Sequence, residues 1–224
     1  MLIINADDLG YDPEIDRGIF EAHARGVVTS ATAMVDTPFA AQALREAPRT
    51  LGLGLHAVLE LHLDAAQTAR EVERQIALFA QLRSAMPDHL DSHKHHHAAP
   101  LLLEGVARVA AARDLPVRAL DDKMRSFLRA RGVRTTDHFL GDAALRPCWT
   151  AERLAAALDG LGPGTTEIMC HPGYAPSHAR TSFGVEREVE LRACLDERVT
   201  AKAARAGLGR FLALPTSAPE ASSK

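Results

Sequence analysis

Basic residues do not predominate in this chain: 26 Lys and Arg face 29 Asp and Glu, for a formal net charge of −3. The two signs are mixed along the sequence, so it lacks the cationic stripe that a nucleic-acid backbone demands, and no nucleic-acid partner is expected. Cysteine is scarce. Cys148, Cys170 and Cys194 are odd in number and widely spaced, without the close pairs of a zinc ribbon or a redox motif. They read as reduced thiols of a cytoplasmic protein. No stretch approaches the roughly 20 consecutive apolar residues that a bilayer crossing needs, and the first residues show no basic region followed by a long apolar run. A soluble protein without a membrane span is the expectation. Internal repeats and Gly/Ser-rich linkers are also missing, so nothing divides the chain.

What is present suits one sizeable core. A length of 224 residues with 46% hydrophobic content supports a single domain over residues 1–214. The last ten residues, "PTSAPEASSK", are small and polar and read as a disordered tail. Short apolar runs alternate with longer segments of helical period, the pattern of parallel strands joined by crossover helices. The predicted strands are Leu2–Ala6, Thr29–Val35, Gly52–Leu59, Leu90–His93, Val117–Leu120, Asp137–Leu140, Glu167–Cys170 and Leu208–Leu212. Eight strands would suit a closed barrel, while an open doubly wound sheet fits the same alternation.

Helices are predicted over Pro13–Arg25, with Asp12 as cap and Pro13 in the first turn, and over Ala66–Met86, where Val72, Ile76, Phe79 and Leu82 recur at three- and four-residue spacings. Leu101–Arg113, Ala151–Leu161 and Val185–Ala206 complete the set, the last span reading as two helices.

In either architecture ligands bind at the carboxyl ends of the strands. Asp7 and Asp8 follow the first strand, His56 lies in the third, Asp91 and His93 close the fourth, and His171 closes the seventh. The adjacent carboxylates of "INADDLG" repel each other and lose hydration on burial, so a countercharge is required. A divalent cation would supply it, and imidazole with carboxylate suits zinc and other first-row metals. Asp8, His56 and His93 are the candidate ligands, and the other aspartate could serve as a base.

Each signal alone has an ordinary alternative. An Asp-Asp pair is commonly a helix cap, a histidine in an apolar strand is commonly a satisfied core residue, and "CHPG" could be a simple turn. "DSHKHHH" is stronger, because four imidazoles within five positions are costly without a metal or an acid to compensate them. Strand alternation would put His93, His95 and His97 on one face, with Lys94 and His96 turned away.

These residues bring a family into view. The segments "INADDLG" (4–10), "GVVTSATAMV" (26–35), "GLGLHAVL" (52–59), "HLDSHKHHH" (89–97) and "TEIMCHPGY" (166–174) resemble, in order, the YdjC-like carbohydrate deacetylases, the family that includes ChbG- and HpnK-type proteins. The resemblance implies a (β/α)-barrel-like α/β fold and removal of an N-acetyl group from a sugar or glycosylated small molecule. It implies one divalent metal on Asp8, His56 and His93, with zinc or magnesium ahead of nickel, cobalt or manganese. It further implies Asp7 as general base and His171 as the acid for the leaving amine. His95 and His97 would line the site or orient its ligands, and Arg118 would contact substrate hydroxyls.

Two departures from the family stand out. The chain passes quickly into helix after His56, where relatives often carry an insertion over the site, and His96 stands where an apolar residue is common. Two other functions compete: a phosphoesterase or related metal hydrolase on the same Asp and His set, and a non-catalytic metal- or sugar-binding protein. A homodimer is the default oligomer for an enzyme of this size.

Overall fold

The computed structural model describes residues 1–141 and 145–215. Six parallel strands form one sheet: β1 (Leu2–Leu9), β2 (Ser30–Ala33), β3 (Gly52–Ala57), β4 (Leu90–Ser92), β5 (His138–Leu140) and β6 (Thr166–Cys170). Among the described residues the helices are α1 (Pro13–Arg25), α2 (Ala40–Glu46), α3 (Ala65–Arg83), α4 (Pro100–Arg113), α5 (Asp122–Arg129), α6 (Ala151–Asp159), α7 (Glu186–Leu195) and α8 (Glu197–Ala206).

The order across the sheet is β4-β3-β2-β1-β6-β5. A doubly wound sheet would reverse its winding at the first strand. Here the order instead matches that of a barrel opened between β4 and β5. The molecule is a curled half-barrel of the (β/α) type, with helices packed outside.

Two expected strands are not realised, and only the first of them borders the opening, against β4. Val117 makes a single parallel bridge to Leu90, and Leu208 one to Leu2. The first run stops because Asp121 immediately caps α5, accepting from the Met124 amide at 2.7 Å. The second turns inward as a 3₁₀ turn, Phe211–Ala213, and buries Phe211 against Ile3. Of the expected tail, residues 216–224 lie outside the described residues.

Local chemistry explains the well-matched helices. Asp12 accepts from the Glu14 amide at 2.9 Å with Pro13 at the first position of α1. Asp64 and Gln67 form a reciprocal capping box at the start of α3. The last helical span, expected as two helices, does divide, at Asp196, which closes α7 and caps α8.

β1 is buried along its whole length. Its residues Leu2, Ile4 and Ala6 join the main core with Ile15 and Ile19 of α1. The alternate positions Asn5 and Asp7 face the interior of the half-barrel, where Ser30, Thr32, His56, Asp91, Arg118 and Glu167 are also buried. A barrel interior is usually filled by branched apolar side chains. This interior is polar toward the carboxyl ends, and that polarity positions the site.

Candidate active site

Adjacent residues on a regular strand point to opposite faces. Asp7 and Asp8 escape that rule through a bulge: Ala6 pairs with Ala31 and Leu9 with Ala33, so three steps on β1 meet two on β2. Asp8 takes the strain with φ 73°, a left-handed conformation that aspartate tolerates better than most residues. Both carboxylates therefore line one cleft of about 330 Å3, with His56, His93, Lys94, His95, His171 and Arg187 among its walls.

The rim of the cleft centres on Asp8. Its Oδ1 lies 3.3 Å from His56 Nε2 and 3.4 Å from His93 Nδ1, and its Oδ2 accepts from Arg187 Nη2 at 2.6 Å. Burial raises the Asp8 carboxyl, but Arg187 and the hydrogen bonds from His56 and His93 outweigh it and hold it well below the usual range. His56 Nδ1 lies 2.7 Å from Asp91 Oδ1. Because a carboxylate only accepts, Nδ1 carries hydrogen and Nε2 is the nitrogen turned to Asp8. Burial lowers the imidazole, yet Asp91, Asp8 and Asp7 push it up to about 10. The acids around His56 thus favour positive charge at this place.

The donor set fits a divalent ion on that ground. One atom each from Asp8, His56 and His93 lies within 4.8 Å of the others, and His56 has the carboxylate behind it that metal-ligating imidazoles usually have. Asp7, His56 and Asp91 form a second group of that size. That group already holds a cation, the Arg118 guanidinium.

Beneath the rim, Arg118 is fully buried. It donates to both oxygens of Asp7 at 2.7 Å and through Nε to Glu167 Oε1 at 2.6 Å, and forms an ion pair with Asp91 Oδ2 at 2.8 Å. Burial would raise the Asp7 carboxyl, but Arg118 reverses the shift and keeps it low. Glu167, sharing the same guanidinium with two other acids, is pushed up to about 7 by burial. With no exposed surface, Arg118 cannot touch substrate hydroxyls as the sequence suggested. It instead braces two acids from below.

The histidine run also departs from strand alternation. β4 ends at Ser92, and residues His93–Ala98 form a 3₁₀ segment in which Lys94 and His95 have φ of 54° and 56°. His93, Lys94 and His95 consequently line the cleft. His96 turns to the Leu59 carbonyl at 2.6 Å. His97 is buried between Ser92 Oγ at 2.7 Å and the Arg118 carbonyl at 3.2 Å, and burial drives it down to about 3. His95, down to about 4 through burial and Arg118, keeps a buried Nδ1 without a partner. His171 follows β6; its amide donates to Glu190 Oε2 at 2.7 Å, and its Nδ1 is likewise buried and unpartnered.

Sequence reasoning missed Arg187 and three supports: Asp91 behind His56, Thr32, whose hydroxyl donates to Asp91 Oδ2 at 3.0 Å, and Asn5, whose amide donates to Asp7 Oδ1 at 2.9 Å. Arg187 lies on α7, far along the chain from Asp8, and the countercharge that the paired aspartates require was assigned in the sequence to a metal alone. A larger hollow of about 930 Å3 opens beside Tyr11 but contains none of the candidate ligands.

The architecture recurs in solved structures. An acetyl xylan esterase of family 4 from Clostridium thermocellum, solved with a cobalt ion, superposes with a TM-score of 0.56 over 93% of this chain and 86% of its own, at 14% identity. That likeness is one of fold. A crystal structure from Enterococcus faecalis V583, of a protein provisionally assigned to cellobiose-phosphate cleavage, gives a TM-score of 0.81 and 27% identity over 94% of this chain and 97% of its own. The profile of the YdjC-like protein family matches residues 1–62 and 59–205.

The chain belongs to the YdjC-like family. It is 33% identical to a carbohydrate deacetylase of Geobacillus stearothermophilus, over 92% of this chain and 94% of the relative. It is 31% identical to a chitooligosaccharide deacetylase of Salmonella typhimurium, over 95% of this chain and 98% of the relative. The second alignment runs over 252 positions, more than the 224 residues present here, so that relative carries segments this chain lacks. The two stretches of the family match meet at residues 59–62, in the β3–α3 connection where the sequence passes directly into helix.

Proposed function

We propose that this protein is a metal-dependent deacetylase that hydrolyses an N-acetyl group on a saccharide or glycosylated small molecule, releasing acetate and a free amine. One observation carries the reading: an Asp–His–His cluster suited to a single cation stands beside a second carboxylate that is separately held by Arg118. Membership of a family whose curated relatives are named deacetylases supports it.

Asp8, His56 and His93 would hold the ion, with zinc or magnesium ahead of nickel, cobalt or manganese. When bound, the ion would polarise the acetyl carbonyl and lower the cost of ionising water. Asp7, kept ionised and fixed in orientation by Arg118, takes the proton from the attacking water as the C–O bond forms. His171 then gives a proton to the leaving amine as the C–N bond breaks. Its unpartnered Nδ1 at the cleft supports that role. His95 walls the site, while His97 and Arg118 fix the strand ends behind it.

The test is acetate release from a panel of N-acetylated mono- and oligosaccharides by metal-stripped protein to which single metals are returned. Turnover that appears only with added metal is the expected result. Metal-independent release, or tight metal binding with no release from any sugar, would refute the assignment.

A further inference from the structure

Three sequence segments meet below the reaction cleft without being explained by it: Asn5 in "INADDLG", Gly54 in "GLGLHAVL" and His89 in "HLDSHKHHH". His89 precedes β4 and is 1% exposed. Its ring stacks on Phe211, with centroids 3.9 Å apart and planes at 11°. On the β3 side, a Cβ added at Gly54 would lie 2.5 Å from the ring, so only glycine leaves the slot open. The imidazole is held in a fitted compartment.

Its polar contacts form a directed chain. Nδ1 is hydrogen-bonded to Asp88 Oδ1, while Asp88 Oδ2 accepts from the Leu53 amide at 3.0 Å. Nε2 lies 3.0 Å from Asn5 Oδ1, with Ser30 Oγ more distant at 3.4 Å. Asn5 Nδ2 donates to Asp7 Oδ1 at 2.9 Å. The amide orientation is forced, since an ionised carboxylate accepts only and Asn5 must turn its N–H₂ toward Asp7. The amide oxygen then faces His89, and Nε2 must carry the hydrogen of that bond.

We propose that His89 and Asn5 are positioning residues for Asp7: the Nε2–H of His89 locks the Asn5 amide so that its N–H aims the Asp7 carboxylate at the reacting water. Arg118 grips both Asp7 oxygens from the far side. The amide adds a neutral donor to Oδ1 and fixes the carboxylate plane without further charge. Without His89 the amide could rotate and set its oxygen against a carboxylate oxygen, which repels it. The role of Asp7 rests on the deacetylase reading. The orientation of the chain from Asp88 to Asp7 does not.

Two measurements separate those cases. Nitrogen-15 NMR of histidine-labelled wild-type protein at pH 7, assigned with His89→Gln, should show an exchange-protected hydrogen on His89 Nε2. A bare Nε2 would overturn the proposal whatever the activity. In steady-state kinetics on the best acetylated sugar, Asn5→Ala should lower kcat by about 10- to 100-fold with KM and bound metal unchanged, as losses behind an active group commonly do. His89→Gln, whose amide can still donate, should retain more activity than His89→Ala. An unchanged kcat in Asn5→Ala, or a loss of kcat matched by loss of metal, would overturn the positioning role. If wild-type protein deacetylates no sugar, the deacetylase reading falls and the NMR result alone decides the chain.

Discussion

The floor of the half-barrel and its rim satisfy their buried charges in opposite ways. On the floor, Asp7, Asp91 and Glu167 converge on one guanidinium that belongs to the chain, and Arg118 has no exposed surface. On the rim, Asp8 has Arg187 on one oxygen, while its other oxygen and one nitrogen each of His56 and His93 lie within 4.8 Å of one another. A permanent cation fixes orientation; an arrangement of donors leaves room for an exchangeable one. Two adjacent aspartates can therefore do different work because each has its own arginine.

The largest effect should come from removing the permanent cation. Arg118→Met would leave three buried acids uncompensated, and breaking a buried ion pair from one side typically costs about 3–5 kcal/mol. Urea denaturation should show a collapse of the midpoint or no folded protein. A midpoint near that of the wild type would mean that the floor is not held by charge.

Next come two substitutions that separate rim from floor. The His93 side chain is 27% exposed, so His93→Ala should change stability by less than about 1 kcal/mol while abolishing bound metal and turnover. Asp7→Asn should keep its metal and lose on the order of 100-fold or more in kcat. Metal content measured on purified protein decides between them, and equal loss in both variants would show that the base and ligand roles are misassigned.

A third test concerns the support under the rim. Asp16 on α1 accepts from the Gly10 amide at 2.6 Å, two residues beyond Asp8. Burial, with Asp12 and Glu46 nearby, raises its carboxyl to about 7 against the Gly10 hydrogen bond. A raised acid keeps its proton longer in the folded state than in the unfolded one. Its destabilising effect is absent below pH 4, grows as the unfolded chain ionises, and levels off above about pH 7. Relative to Asp16→Asn, the wild type should therefore lose stability between pH 4 and 7, by up to about 2–4 kcal/mol. Parallel stability curves for the two proteins across that window would remove the inference.

Much of this arrangement was legible in the sequence, and what was not has physical reasons. The Asp12 cap and Pro13 marked α1, whose bounds match the expectation, and periodicity marked α3 to within a few residues. α2 and α5 were missed because seven- and eight-residue helices offer too few turns for a periodic signal, and α5 begins in a charged run, "DDKMR". The run "VRAL" reads as a strand by composition, yet only Val117 bridges before the α5 cap ends it. Asp8, His56 and His93 could be grouped because each lies at a strand end, which topology brings together. Arg187 could not, since a helix residue meets the rim only through tertiary packing. The faces of His95, His96 and His97 depended on two left-handed residues that alternation does not anticipate.

The smallest expected effect sharpens the opening contrast, because it uses the same functional groups in another setting. Arg113 engages Glu73 through Nε at 2.9 and 3.0 Å and also through Nη2, so two of its nitrogens meet one carboxylate, as they do for Arg118 with Asp7. Both side chains of this pair are 39% exposed, however, so water already solvates them and salt screens them. Arg113→Ala should cost no more than about 0.5 kcal/mol, and that difference should shrink further in 1 M salt. The Arg118 substitution should keep its full effect at the same salt concentration. If the two variants responded alike to salt, burial would not be what distinguishes the floor, and the orientation of Asp7 would need another cause.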